Sequence, residues 1–131
     1  MKSIQTNLRY GLFLVGVLAI LPGCGGTAPP AAADPAQARD ALGAALESWK
    51  AGEQPESLRQ RKPAVVVVDH EWTAGYRLLH YEAGADQALG GNLRCNVVLV
   101  LRNPRGQTVR KKAAYSVGTS PVLTVHREDD L

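Results

Sequence analysis

The chain has 131 residues, with 15 Lys and Arg against 12 Asp and Glu, a formal net charge of +3 at pH 7. Lys2 and Arg9 lie within the first 23 residues, which hold no acidic residue, so the rest of the chain is nearly neutral. Its length suits one domain, and its near neutrality argues against nucleic acid as a partner, because nucleic-acid-binding domains carry clustered positive charge.

The N-terminal residues have the pattern of a secretory signal peptide. Lys2 and Arg9 precede an apolar run from Leu12 to Leu21. A transmembrane helix needs about 20 apolar residues, and this run is too short for one. We therefore expect residues 1–23 to be a signal peptide that is cleaved on export.

A cysteine closes this run, in the sequence Leu21-Pro22-Gly23-Cys24. These residues resemble the lipobox of bacterial lipoproteins, although Pro22 is not the usual second residue. The resemblance covers the first 24 residues and implies a diacylglycerol thioether on Cys24, cleavage after Gly23, and acylation of the new amine by a fatty acid such as palmitate. The alternative is a plain signal peptide with a chance cysteine. Gly25, where an Asp would resemble an inner-membrane retention signal, favours the outer membrane, facing the periplasm, if the cell has one.

A tether and one domain are expected after the signal. Residues 24–33 hold the cysteine and then GGTAPPAAA, which has no charged side chain and suits a flexible linker. The domain is expected over residues 34–131. Once Cys24 is lipidated, Cys95 has no partner for an intramolecular disulfide. Cys95 lies on the apolar side of a predicted strand, which indicates a buried, inert thiol; the alternative is a reactive or intermolecular one.

An amphipathic helix is predicted to begin after Asp34. Asp34 suits an N-cap, Pro35 suits the first helical position, and Gln37 completes a capping-box pattern. We expect Gly52 to end the helix. Apolar residues follow at helical spacing: Ala38, Ala41, Leu42, Ala45, Leu46 and Trp49. A helix lying on a membrane surface is the alternative, but the polar face lacks the basic residues typical of such helices.

After this helix, apolar residues recur at every second position, which predicts strands. We expect Ala83–Gly91 to be a loop, and turns at Asn103–Gly106 and at Gly118–Pro121. The predicted strands are Ala64–Asp69, Tyr76–Glu82, Asn92–Arg102, Thr108–Val117 and Val122–Arg127.

This order predicts an α+β fold, with one N-terminal amphipathic helix packed on a curled antiparallel sheet of four to five strands in meander order. The order of elements resembles the cystatin-like and NTF2-like α+β folds. Trp49-Lys50-Ala51-Gly52 and Gly118-Thr119-Ser120-Pro121 also resemble segments of short, uncharacterised bacterial envelope lipoproteins. That resemblance implies no activity and no catalytic residue.

The densest polar cluster is Asp69-His70-Glu71, followed by Trp72. His70, together with His80 and His126 on other elements, is a weak candidate for a metal site, because the histidines lack a compact ligand spacing. The alternative, which we favour, is a polar strand end with Trp72 closing the core. We expect no metal and no cofactor.

Catalytic patterns are weak. Ser116 and Ser120 lack the glycine context of a serine nucleophile. Asp69 and Glu82 could form a carboxylate pair, but the sequence does not place them together. We therefore predict no catalytic residue.

The predicted hairpin between the third and fourth strands is basic. It carries Arg102, Arg105, Arg110, Lys111 and Lys112. Near a membrane, these residues could contact an anionic surface. The alternative is a charged edge that prevents aggregation between sheets.

Together these patterns predict a lipid-anchored cell-envelope protein that acts as a non-catalytic binding or interaction module for an envelope partner. The alternative is a small-molecule or lipid carrier with a pocket in the curled sheet, and a small hydrolase is third. The oligomeric state stays open.

Overall fold

The computed structural model describes residues 31–129. The predicted signal peptide, Cys24 and most of the predicted tether lie outside the described residues. The fold is α+β with one five-stranded sheet, which is largely antiparallel and curled. Its elements are α1 (Pro35–Lys50), a 3-10 helix (Pro55–Gln60), β1 (Val65–Val68), α2 (His70–Thr73), β2 (Arg77–Leu89), β3 (Asn92–Arg102), β4 (Thr108–Gly118) and β5 (Leu123–Arg127).

Helix α1 is capped by Asp34, whose side chain accepts a hydrogen bond from the Gln37 backbone N–H at 3.0 Å. Its apolar stripe is buried against the sheet, and the indole of Trp49 donates to the Tyr76 carbonyl oxygen at 2.7 Å. This bond satisfies the polar end of a large buried ring, as buried tryptophans generally require.

The strand order β1-β5-β4-β3-β2 corrects the predicted antiparallel meander. Strands β2 to β5 are antiparallel neighbours in chain order, but β1 pairs in parallel with β5. Val65 and Val67 point to the same core as their β5 partners, Leu123 and Val125. Apolar alternation fixes which face a strand buries, but it does not choose a partner strand, so the sequence could not reveal this pairing.

The predicted loop over Ala83–Gly91 is also wrong, because β2 continues through it to Leu89. Register shifts between Leu78 and His80 and between Ala83 and Asp86 let the long strand stay paired with β3. A Cβ on Gly84 would lie 3.0 Å from the Asn96 carbonyl oxygen, so a glycine permits the close approach of the two strands.

The core lies on one face of the sheet. The buried apolar side chains of α1, the 3-10 helix and α2 pack against those that alternate along the strands. In the part of the chain that the structure describes, all three helices lie on that face. Among the same residues, no helix is long and apolar enough to cross a membrane.

Candidate functional site

A buried ion network holds α2 against the sheet. Asp69 caps α2, accepting hydrogen bonds from the backbone N–H groups of Glu71 and Trp72 at 2.9 and 3.1 Å. The Arg127 side chain, 1% exposed, donates to Glu71 at 2.6 Å and to Asp69 at 3.4 Å. The Tyr115 hydroxyl donates to the same Asp69 oxygen at 2.5 Å. The polar cluster Asp69-His70-Glu71 of the sequence is therefore the N-terminus of α2, and ion pairs with Arg127 join it to β5.

The electrostatics of the network follow from its burial. Burial raises the pKa of Tyr115, and the neighbouring Asp69 carboxylate raises it further. Burial alone would lower the pKa of Arg127, but its pKa is raised overall, because Tyr115, Asp69 and Glu71 surround the guanidinium. The network keeps a phenol neutral and an arginine charged inside the protein.

The network is internally balanced. Lys111 lies 3.2 Å from Glu71 and supplies a second positive charge, so two cations face two carboxylates. These paired charges position α2, and the buried Arg127 Nε has no hydrogen-bond partner within residues 31–129. This geometry agrees with a structural role for Asp69 and Glu71.

The opposite face of the sheet carries no helix among the described residues, and we call it the open face. Because β3 and β4 alternate, this face presents the residues that the core does not use: Arg94, Asn96, Val98 and Val100 of β3, and Arg110, Lys112, Ala114 and Ser116 of β4. Its valines and Ala114 are half-buried by their neighbours, and its lysine and Arg110 are exposed.

A shallow groove of about 510 Å³ lies on the open face. Its floor is made of small and apolar residues, Gly84, Val98 and Ala114, and Lys112 lies beside them. Arg94 donates to Glu128 at 2.8 Å across the groove. The volume falls within the roughly 300–1,000 Å³ range of ligand sites, and the polar rim supplies both signs of charge.

The basic hairpin predicted from the sequence is divided by the structure. Arg102, Arg110 and Lys112 have the parity of the open face, and Arg105 lies in the turn. Lys111 lies on the covered face, where it contacts Glu71. Of the open-face cations, Arg110 lies 3.8 Å from Glu82. Arg102, Arg105 and Lys112 form no ion pair with another described residue, so this half of the open face is net positive.

Asp34, where the predicted tether would join the domain, lies at the end of the sheet that is remote from this basic turn. The Asp34 backbone N–H donates to Thr119 Oγ1 at 3.1 Å, and Thr119 follows the last residue of β4. Arg105 lies beyond the first residue of β4, an 11-residue strand. At about 3.4 Å per residue, the two ends are about 34 Å apart.

The three candidate histidines are not brought together. His70 begins α2, His80 lies on β2 and His126 lies on β5, and all three are exposed. His80 lies 3.8 Å from Glu82. No group of three or more His, Cys, Asp or Glu residues within 31–129 is arranged to hold a metal ion.

Sequence reasoning missed Arg94, Glu128 and Arg127. The signal for Arg127 was present, because it continues the buried alternation of Leu123 and Val125. A charged residue at a core position requires a buried partner, and Arg127 has two, Glu71 and Asp69. The pairing of Arg94 with Glu128 joins residues 34 positions apart, and nothing local predicts it.

Comparisons with protein-family models, with curated proteins and with solved structures found no match for this chain.

Proposed function

We propose that this protein is a lipid-anchored, non-catalytic binding module of the cell envelope, and that it takes a protein partner on the open face. The observation that carries the proposal is the open face itself. It combines a sheet surface that no described helix covers, a groove of about 510 Å³ and, among the described residues, cations without an ion-pair partner. Apolar surface beside unpaired charge is a combination that protein interfaces use.

The pairing of the buried carboxylates in the ion network supports a non-catalytic role. The acids most deeply buried in the domain, Asp69 and Glu71, are occupied by Arg127, Tyr115, Lys111 and the α2 backbone. A general acid or base needs a proton-transfer position that a substrate can reach. The roles of these two carboxylates are accounted for by the fold.

The position of the tether favours a protein partner over the host membrane. From Cys24 to Asp34 the chain can extend at most about 36 Å, so the domain stays within that distance of its proposed anchor. Because the tether joins the domain at the opposite end of the sheet, Arg102 and Arg105 lie about 34 Å from the point of attachment. We therefore assign the basic turn to a partner with an acidic surface.

Native mass spectrometry of the lipidated protein, purified gently from the envelope of the producing cell, tests this proposal. The double variant Arg110→Glu/Lys112→Glu reverses two charges on the open face. The matched control Arg59→Glu/Lys62→Glu makes the same change at two exposed residues near the 3-10 helix.

We expect a partner mass with the unsubstituted chain and with the control, and a recovery at least about tenfold lower with the open-face variant, because like charges facing each other cost several kcal/mol. Equal recovery from both variants would contradict the assignment of the open face. A bound small molecule in place of a protein would favour the carrier instead.

A further inference from the structure

A second cavity lies on the other side of the sheet, between α1 and strands β2 and β3. Arg39, Leu42, Gly43 and Leu46 line it from the helix, at the spacing i, i+3, i+4 and i+7 that places residues on one helix face. Its volume is about 200 Å³. The helix and the two strands therefore border an unfilled, partly open cavity along this seam.

The interior of this cavity is mostly apolar and its polar rim is paired. Its walls on the sheet side include Tyr81, Ala83, Cys95 and Val97. At the rim, Arg39 donates to Asp86 at 2.5 Å and the Tyr81 hydroxyl donates to Glu47 at 2.6 Å. Because these charges already have partners, the cavity offers no free charge to an ionic ligand.

Gly43 keeps the space open. It lies in the middle of α1, where glycine is among the least favourable residues. A Cβ at this position would meet no atom within 4 Å, so packing against a neighbour does not require the glycine. Its missing side chain contributes directly to the cavity.

We propose that this cavity binds a small, neutral, apolar molecule the size of an aromatic ring or a short aliphatic chain. The volume of about 200 Å³ exceeds the roughly 150 Å³ of an apolar cavity that binds benzene and falls below the roughly 300 Å³ at which drug-sized ligand sites begin. Gly84, Asn96 and Val97 border both this cavity and the groove on the open face, whereas Leu42, Gly43 and Leu46 border this cavity and not that groove.

Benzene is the probe, added to the full-length chain carrying Cys24→Ala and kept free of detergent, whose tails would compete. Methyl NMR reports each site separately. We expect saturable shifts at Leu42 and Leu46, while the exposed Val68 and Val122 remain unmoved. Shifts that grow linearly at all methyls alike, or that saturate first at Val98 on the open face, would overturn the proposal.

Two variants at Gly43 separate filling from helix propensity. Gly43→Leu places a side chain in the cavity and is expected to raise the dissociation constant of benzene at least about tenfold, since an occupied cavity cannot hold the ring. Gly43→Ala improves the helix but adds one methyl group, and we expect a change below about threefold. Equal binding by all three chains would overturn the assignment. If Gly43→Leu does not fold, the site-resolved titration of the chain with Gly43 decides alone.

Discussion

Replacing Arg127 with methionine is expected to destabilise the domain severely. The substitution keeps an unbranched side chain but removes the donor to Glu71 at 2.6 Å and to Asp69 at 3.4 Å. It also removes a guanidinium that lies 5.6 Å from the centre of the Tyr115 ring. The two carboxylates then stay inside the protein with fewer partners, because their side chains are 6% and 1% exposed.

The size of the loss in unfolding free energy depends on the partners that the two carboxylates keep. Breaking a buried ion pair by removing one partner costs about 3–5 kcal/mol. Lys111 still contacts Glu71, and the α2 backbone and Tyr115 still donate to Asp69, so we expect the lower end, about 3 kcal/mol. This is a large part of the roughly 5–15 kcal/mol by which a small domain is stable.

Urea unfolding of the full-length chain carrying Cys24→Ala measures this loss. With a slope of about 1–3 kcal/mol per molar urea, the midpoint falls by at least about 1 M. A double variant, Glu71→Gln/Arg127→Met, removes a charge from each side, and we expect it to cost at least about 1 kcal/mol less than the sum of the two single changes. A loss below about 1 kcal/mol for Arg127→Met, or strict additivity in the double variant, would refute the reasoning.

Four further predictions concern three residues, Cys95, Glu53 and Cys24. Burial, with a contribution from Asp86, raises the pKa of Cys95 to about 12 from 9.0, so iodoacetamide should label the native thiol about a thousandfold more slowly than the unfolded one; similar rates would contradict a buried thiol. Because its pKa is raised, the buried, protonated Cys95 thiol contributes fully to folding stability below pH 9.0, and this contribution is lost as the pH rises towards 12. Urea midpoints measured across that range would detect the loss. The hydrogen bond from Ser48 lowers the pKa of Glu53, so the contribution of Glu53 to folding stability is present above pH 4.5 and lost as the pH falls below it. Glu53→Gln should therefore reduce the loss of stability at acid pH, as measured by urea midpoints. An unchanged loss would argue against this hydrogen bond in solution. Cys24→Ala should lose the incorporation of labelled palmitate that the unsubstituted chain shows, and a variant that still incorporates the label would remove the lipid anchor at Cys24 from the account.

Local patterns predicted much of the strand content because apolar alternation has a direct physical cause. Leu93, Cys95, Val97, Leu99 and Leu101 alternate in the sequence, and all five are buried on one side of β3. The α+β class follows from such strands together with an α1 stripe at helical spacing.

The remaining features depend on contacts between distant segments. The segment AGADQALGG is rich in alanine and glycine and is typical of a loop, yet pairing with β3 draws most of it into β2. The parallel pairing of β1 with β5 joins segments about 58 residues apart, and no local signal selects it. The two candidate sites are likewise made by neighbouring elements, so the sequence contained their residues but not their arrangement.

Site-specific photo-cross-linking in the intact envelope tests the central claim, a protein partner on the open face, most directly. A photoreactive residue replaces Lys112 on the open face or, as the matched control, Lys50, which is exposed at the end of α1. The account predicts one discrete protein adduct from position 112 and none from position 50. Equal adducts from both positions, or adducts of lipid alone from position 112, would contradict it.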